Sequence, residues 1–152
     1  MTGGTIPAGV TPSRAKSDLM ARVRTRDTAP EIAVRRAMHA RGLRFRLHPA
    51  DLPGRPDIVL PKHRTVVFVH GCYWHGCAMC DRGTRRPKTN GAFWAAKLAE
   101  NQQRDNRNVA ELQRLGWHVT VIWECRTRES HMLAATLESL LPFLRMKDQH
   151  AA

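Results

Sequence analysis

Four cysteines and a handful of acidic and imidazole side chains carry the chemical information in this chain. Cys72, Cys77 and Cys80 are separated by four and two residues, and Cys125 lies far downstream. Four thiolates in two groups suit a tetrahedral Zn2+ with every position filled, the structural rather than the catalytic type. Disulfides would need an oxidising compartment, and no secretory signal is evident, so metal ligation is the expected use. His75 competes for one ligand position. Four sulfurs are preferred because they leave His75 free for other work.

A second group is spread along the chain. Asp57 follows Pro56 at the start of an apolar segment, and Thr65-Val66-Val67-Phe68-Val69 delivers His70. A carboxylate and an imidazole brought to neighbouring strands is an arrangement by which metal-dependent nucleases gather ligands, although a Pro-Asp pair also occurs as a solvated cap. Trp94, Leu98, Asn101, Asp105, Val109 and Leu112 repeat at helical spacing, which puts Asn101 and Asp105 within an apolar stripe. An inward carboxylate needs a partner: a histidine or a metal, or equally a buried arginine or loop backbone. His70 and His75, with unperturbed pKa values near 6.5, can accept a proton from water. Glu31 is placed to reach the same site. Tyr73 and Trp74 between the two histidines form either an aromatic wedge for a base stack or a satellite core under the cysteine loop.

The elements that position these groups are legible in outline. Residues 1–12 are expected to be a disordered leader and residues 17–26 a short basic helix. Thr28-Ala29-Pro30-Glu31 has capping-box form, with Gly42 as the stop. Alternation over residues 43–47 predicts a strand, Asp57 opens a second, and the apolar run of residues 65–69 is a third, buried on both faces. Residues 71–90 are loop-like. Asn90 is expected to cap a helix reaching Leu115 and stopped by Gly116. Residues 117–124 alternate again, and a last helix over residues 129–141 is interrupted at Pro142. The fold class is α/β, a mixed sheet flanked by helices, in one domain over residues 13–146 with a polar tail over residues 147–152.

Twenty-five Lys and Arg against thirteen Asp and Glu give a net charge of +12 in 152 residues. Basic residues spread over folded elements rather than a tail point to nucleic acid, with a charge-solubilised basic protein as the alternative. No stretch approaches the ~18 apolar residues of a membrane helix, and the expected location is cytoplasmic.

Several motifs in order resemble the very short patch repair (Vsr) endonuclease family: Thr25-Arg26-Asp27-Thr28-Ala29-Pro30-Glu31, Leu52-Pro53-Gly54-Arg55-Pro56-Asp57, His70-Gly71-Cys72-Tyr73-Trp74-His75, Asn101 with Arg104-Asp105, Leu115-Gly116-Trp117, and Trp123-Glu124-Cys125. The resemblance implies a relative of the PD-(D/E)xK nucleases that nicks one strand of duplex DNA beside the thymine of a T:G mismatch left by 5-methylcytosine deamination. It implies Mg2+ on Asp57 and the Val69 carbonyl, proton transfer and phosphate positioning by His70 and His75, orientation by Asp105 and help from Glu31. It assigns Cys72, Cys77, Cys80 and Cys125 to zinc, and Met20, Tyr73 and Trp74 to an intercalating wedge. A cytosine methyltransferase and downstream repair proteins are implied as partners. Phe68-Val69-His70 stands where the wider nuclease group has its acidic residue and lysine. The rival readings are a nuclease of restriction or structure-selective specificity and a catalytically silent DNA-binding module.

Overall fold

The computed structural model describes residues 25–148. The expected leader, nearly all of the expected helix over residues 17–26, Met20, and the tail from residue 149 lie outside them. Helix α1 (Ala29–Ala40) begins where Thr28 Oγ1 accepts the Glu31 N–H at 3.4 Å. The Glu31 carboxylate reaches one residue further back than a capping box requires. Its Oε2 takes the Asp27 N–H at 3.0 Å and its Oε1 the Thr28 hydroxyl at 3.2 Å, because Asp27 turns through a left-handed φ of 53°. Gly42, at φ 76°, closes the helix as expected.

The first strand is shorter than the alternation of residues 43–47 suggests. Only Arg46 and Leu47 pair, as β1 (Arg46–Leu47), while Leu43 and Phe45 still pack into the core. β1 is an edge strand beside the three-residue β2 (Ile58–Leu60), and the chain leaves it at His48 with φ 45°. β3 (Thr65–His70) runs antiparallel to β2 and parallel to β4 (His118–Trp123), giving the order β1-β2-β3-β4. A parallel pair cannot be joined by a hairpin, so the chain leaves the sheet after His70 and returns at His118.

That crossover is not simply a loop and a helix. Residues 71–90 contain two one-turn helices, α2 (Cys72–His75) and α3 (Asp81–Thr84), before the long α4 (Gly91–Arg114). Asn90 starts α4 in a left-handed conformation and offers its carbonyl to the Trp94 N–H at 3.2 Å, with no side-chain cap. The last helix, α5 (Ser130–Asp148), runs through Pro142 instead of breaking there. Leu140 and Leu144 are buried on either side of the proline, and the Leu144 carbonyl accepts from His63 Nδ1 at 3.1 Å, so packing offsets the lost backbone bond.

Strand parity divides the core. Ile58, Leu60, Val67 and Ile122 face α1 and α5, meeting Val34, Met38, Leu133, Leu137, Leu140 and Leu144. Val59, Val66 and Phe68 face the other way, meeting Leu112 of α4 with Trp117, Val119 and Val121. Asp57 shares the parity of Val59, and His70 that of Phe68, so both lie on the α4 side. No helix among the described residues is long and apolar enough to cross a membrane.

Leu137 is fully enclosed in the larger cluster. Leu137→Ala is expected to lower unfolding free energy by about 3 kcal/mol, the scale of a buried cavity. Guanidinium unfolding should show the midpoint falling at constant m value.

Candidate active site and cysteine cluster

The α4 side of the sheet opens into a cleft of about 940 Å³ bordered by Glu31, Asp57, His70, Trp74, His75 and Asp105. Five of the chemistry-bearing residues expected from sequence therefore meet there beside Trp74. Asp57 is fixed through Oδ2, which accepts the Val69 N–H at 2.7 Å. Burial, opposed by that bond, and the nearby Glu31 charge push its carboxyl up to about 6. A carboxylate so desolvated favours a cation beside it.

His75 Nδ1 donates to Asp105 Oδ2 at 2.6 Å, leaving its Nε2 as the other ring nitrogen. Burial disfavours the charged Asp105 carboxyl, but the His75 bond and the His75, His70 and Arg104 charges outweigh it and hold the group below its usual value. The His70 ring stacks on His75 at 3.9 Å, nearly parallel, with Trp123 meeting its edge at 5.4 Å. Burial first, and then His75, push the His70 imidazole down to about 4. His70 is thus neutral near pH 7. Asp105 meets a histidine rather than a buried arginine, which decides between the partners that the helical stripe left open. Asn101, on the same stripe, donates to the Trp74 carbonyl at 3.0 Å and ties α4 to α2.

Glu31, only 3% exposed, is already engaged. Arg35 Nη2 donates to its Oε2 at 2.9 Å, while Arg35 Nη1 reaches Asp27 Oδ1 at 2.8 Å. His48 stands 3.4 Å from Glu31 and 3.8 Å from Asp57. Sequence reasoning missed Arg35 and His48, which no motif joins; a charged residue four after Glu31 on one helix face was the only available signal. It also treated Trp94 as core. Trp94 borders the cleft, tilted against Trp74 at 6.2 Å, with Phe93 against it at 5.3 Å and Tyr73 against Trp74 at 5.0 Å. Tyr73 and Trp74 are half-buried.

The four cysteines come together with their sulfurs all within 4.8 Å of one another, in a cluster that can hold a metal ion. Cys77 Sγ and Cys125 Sγ are 4.0 Å apart, close to the ~3.8 Å edge of a tetrahedron with 2.3 Å metal–sulfur bonds. Backbone N–H groups of Cys125 and Met79 point at the sulfurs of Cys72 and Cys77, each at 3.3 Å. Burial pushes the Cys72 and Cys125 thiols up, while the Gly83 N–H holds the Cys80 thiol down. Glu124 joins cluster and cleft, accepting from the Cys72 N–H at 3.2 Å and Arg82 at 3.0 Å.

A family model, DNA mismatch endonuclease Vsr, matches residues 9–82. A type II nicking enzyme, V.XorIIP of Xanthomonas oryzae pv. oryzae, is 47% identical over 81% of this chain and 89% of its own length. The DNA mismatch endonuclease Vsr of Escherichia coli is 41% identical over 80% of this chain and 76% of its own. A type II nicking enzyme of Neisseria meningitidis, V.NmeAIP, is 38% identical over 83% and 89%.

Gly83 packs against the backbone of Cys77 so closely that a Cβ would lie 1.8 Å from the Cys77 carbonyl oxygen. Gly83→Ala should therefore force α3 off the cysteine loop. Metal analysis of the purified variant should show well under one equivalent bound by the cluster, and the melting temperature should fall; full metal content would mean that the loop yields without losing the site.

Proposed function

Because the chain belongs to the Vsr family of DNA mismatch endonucleases, we propose that it nicks one strand of duplex DNA beside the thymine of a T:G mismatch produced by 5-methylcytosine deamination. The observation that carries this reading is the convergence of Asp57, His70 and the His75–Asp105 pair in one cleft edged by Trp74. A net charge of +12 supplies the non-specific attraction to the phosphate backbone.

Asp57, ionised above about pH 6, is the acidic protein ligand for Mg2+, with the Val69 carbonyl as a second oxygen. Asp57 belongs to neither imidazole–carboxylate cluster among the described residues, which suits a hard cation that draws its remaining ligands from water and substrate phosphate. Such a cation supplies Lewis-acid stabilisation of the charge that develops on the phosphate. His75, oriented by Asp105 through Nδ1, presents Nε2 as the acceptor for the proton of the attacking water. His70, neutral and stacked on His75, hydrogen-bonds the phosphate and limits ring rotation. Glu31 assists from α1 through its negative charge near Asp57.

Tyr73 and Trp74, with Met20 from outside the described residues, form the wedge that opens the mismatched step. The edge-on and tilted aromatic contacts running from Tyr73 through Trp74 and Trp94 to Phe93 support it, since Trp74, Trp94 and Phe93 border the cleft and Tyr73 packs edge-on against Trp74. The cysteine cluster is assigned to one structural Zn2+, and the fold to the PD-(D/E)xK group, whose acidic residue and lysine are replaced here by Phe68-Val69-His70. Four clustered cysteines used as thiolate ligands suit a reducing compartment, which supports action in the cytoplasm. A cytosine methyltransferase would create the substrate's precursor, and repair synthesis would follow the nick.

Asp57→Asn should abolish nicking of T:G duplexes with Mg2+ present while DNA affinity changes less than about threefold, because the basic surface is intact. Gel-based nicking and fluorescence anisotropy test this; wild-type nicking would refute the ligand assignment. A proton competes with the cation for Asp57, so Mn2+ affinity of the free protein should fall by about tenfold per pH unit below about pH 6 and level off above it. Trp74→Ala should cut T:G nicking by roughly five- to hundredfold, the scale of one lost stacking contact, with little change in affinity for paired DNA. An unchanged ratio of T:G to T:A nicking would make Trp74 a packing residue.

A further inference from the structure

The proton transfer at His75, oriented by Asp105, makes no use of the contacts that Arg35 and His48 make beside Glu31 and Asp57. Arg35 Nη2 donates to Glu31 Oε2 at 2.9 Å and stands 3.0 Å from His48 Nε2. His48 in turn lies between two carboxylates, Nε2 at 3.4 Å from Glu31 Oε2 and Nδ1 at 3.8 Å from Asp57 Oδ1, with its side chain only 9% exposed. Its backbone holds a left-handed φ of 45°, and its N–H points at the Asp57 carbonyl at 3.4 Å. The ring is thus aimed by local backbone and by α1 together.

A guanidinium has donors and no acceptor, and at 3.0 Å it stands nearer the His48 Nε2 than the Glu31 oxygen at 3.4 Å, so that Nε2 presents its lone pair to Arg35. In the neutral ring the proton then sits on Nδ1, the nitrogen turned toward Asp57. The two oxygens of Asp57 are approached by two different donors: the Val69 N–H at Oδ2 and the His48 N–H near Oδ1. At 3.8 Å the second approach is a charge–dipole attraction rather than a hydrogen bond, and it acts on the plane of the carboxylate.

We infer that His48 is a positioning residue for Asp57, its tautomer set by Arg35, and that it holds the carboxylate in the orientation that receives the divalent cation. This rests on Asp57 being the cation ligand. Groups that orient a metal-binding side chain from behind change metal affinity by roughly ten- to hundredfold when removed.

The test compares His48→Leu, which keeps bulk and loses both polar functions, with His48→Gln, whose amide again offers one donor and one acceptor. Mn2+ affinity of the zinc-loaded protein without DNA is read by electron paramagnetic resonance, alongside melting temperature, DNA affinity and single-turnover nicking of a T:G duplex. His48→Leu should weaken Mn2+ binding by about tenfold or more and slow nicking in proportion, with DNA affinity within about twofold. His48→Gln should restore Mn2+ affinity to within about threefold of wild type. Wild-type Mn2+ affinity in His48→Leu, or a folded His48→Gln as weak as His48→Leu, would overturn the inference. If His48→Leu does not fold, Arg35→Met carries the test, since releasing the tautomer should weaken Mn2+ binding several-fold and an unchanged affinity would overturn the inference. Asp57→Asn is run in parallel: if it too binds Mn2+ normally, the assignment of Asp57 itself fails, whereas a loss there with none in His48→Leu defeats His48 alone.

Discussion

The parallel pairing of β3 with β4 is the constraint from which the rest follows. Once two neighbouring strands run the same way, the chain between them must leave the sheet, cover a face and come back. In this protein the detour carries most of the chemistry. Three cysteines, Tyr73, Trp74 and His75 lie at its start, Asn101 and Asp105 on its long helix, and Cys125 just after its return strand. The register that sets His70 opposite Trp123 brings the start of the detour beside the end of the return strand, at one edge of the cleft. There the cysteine cluster closes the circuit.

Electrostatics at the cleft follow from depth and partner rather than from residue type. Asp57 and Asp105 are both carboxylates on the same side of the sheet, yet burial raises the first while a short imidazole bond lowers the second. His70 and His75 are adjacent rings of the same kind, but only His75 has a carboxylate bound to it. The difference in partners is produced by α4, which supplies Asp105 to one histidine, while the other lies against Phe68 and Trp123.

Features set by local pattern were legible in the sequence. The helix start at Thr28, the apolar strand ending in His70 and the stripe of α4 all depend on near neighbours, and each stands where the pattern puts it. The cysteine spacing told of a cluster because ligand geometry limits spacing. Features decided by distant packing were not legible. β1 is a two-residue strand at the sheet edge, Pro142 is carried inside a helix by the leucines around it, and the one-turn helices α2 and α3 flank the cysteine cluster. Arg35 and His48 were invisible for a related reason: each is ordinary in its own segment, and only the fold sets one beside the other.

The detour also orders events during synthesis. Asp57, His70 and His75 leave the ribosome long before β4, and until His118–Trp123 has emerged the apolar strand Thr65–His70 has a partner on one edge alone. Non-local pairing of this kind forms late, because the intervening chain must be organised before the strands can meet. The last cysteine follows that strand immediately. A nascent chain that stops short of Cys125 therefore holds most of the cleft's reactive groups without the framework that aligns them, and its open strand edge is exposed to aggregation while the residues between His70 and Trp123 are made.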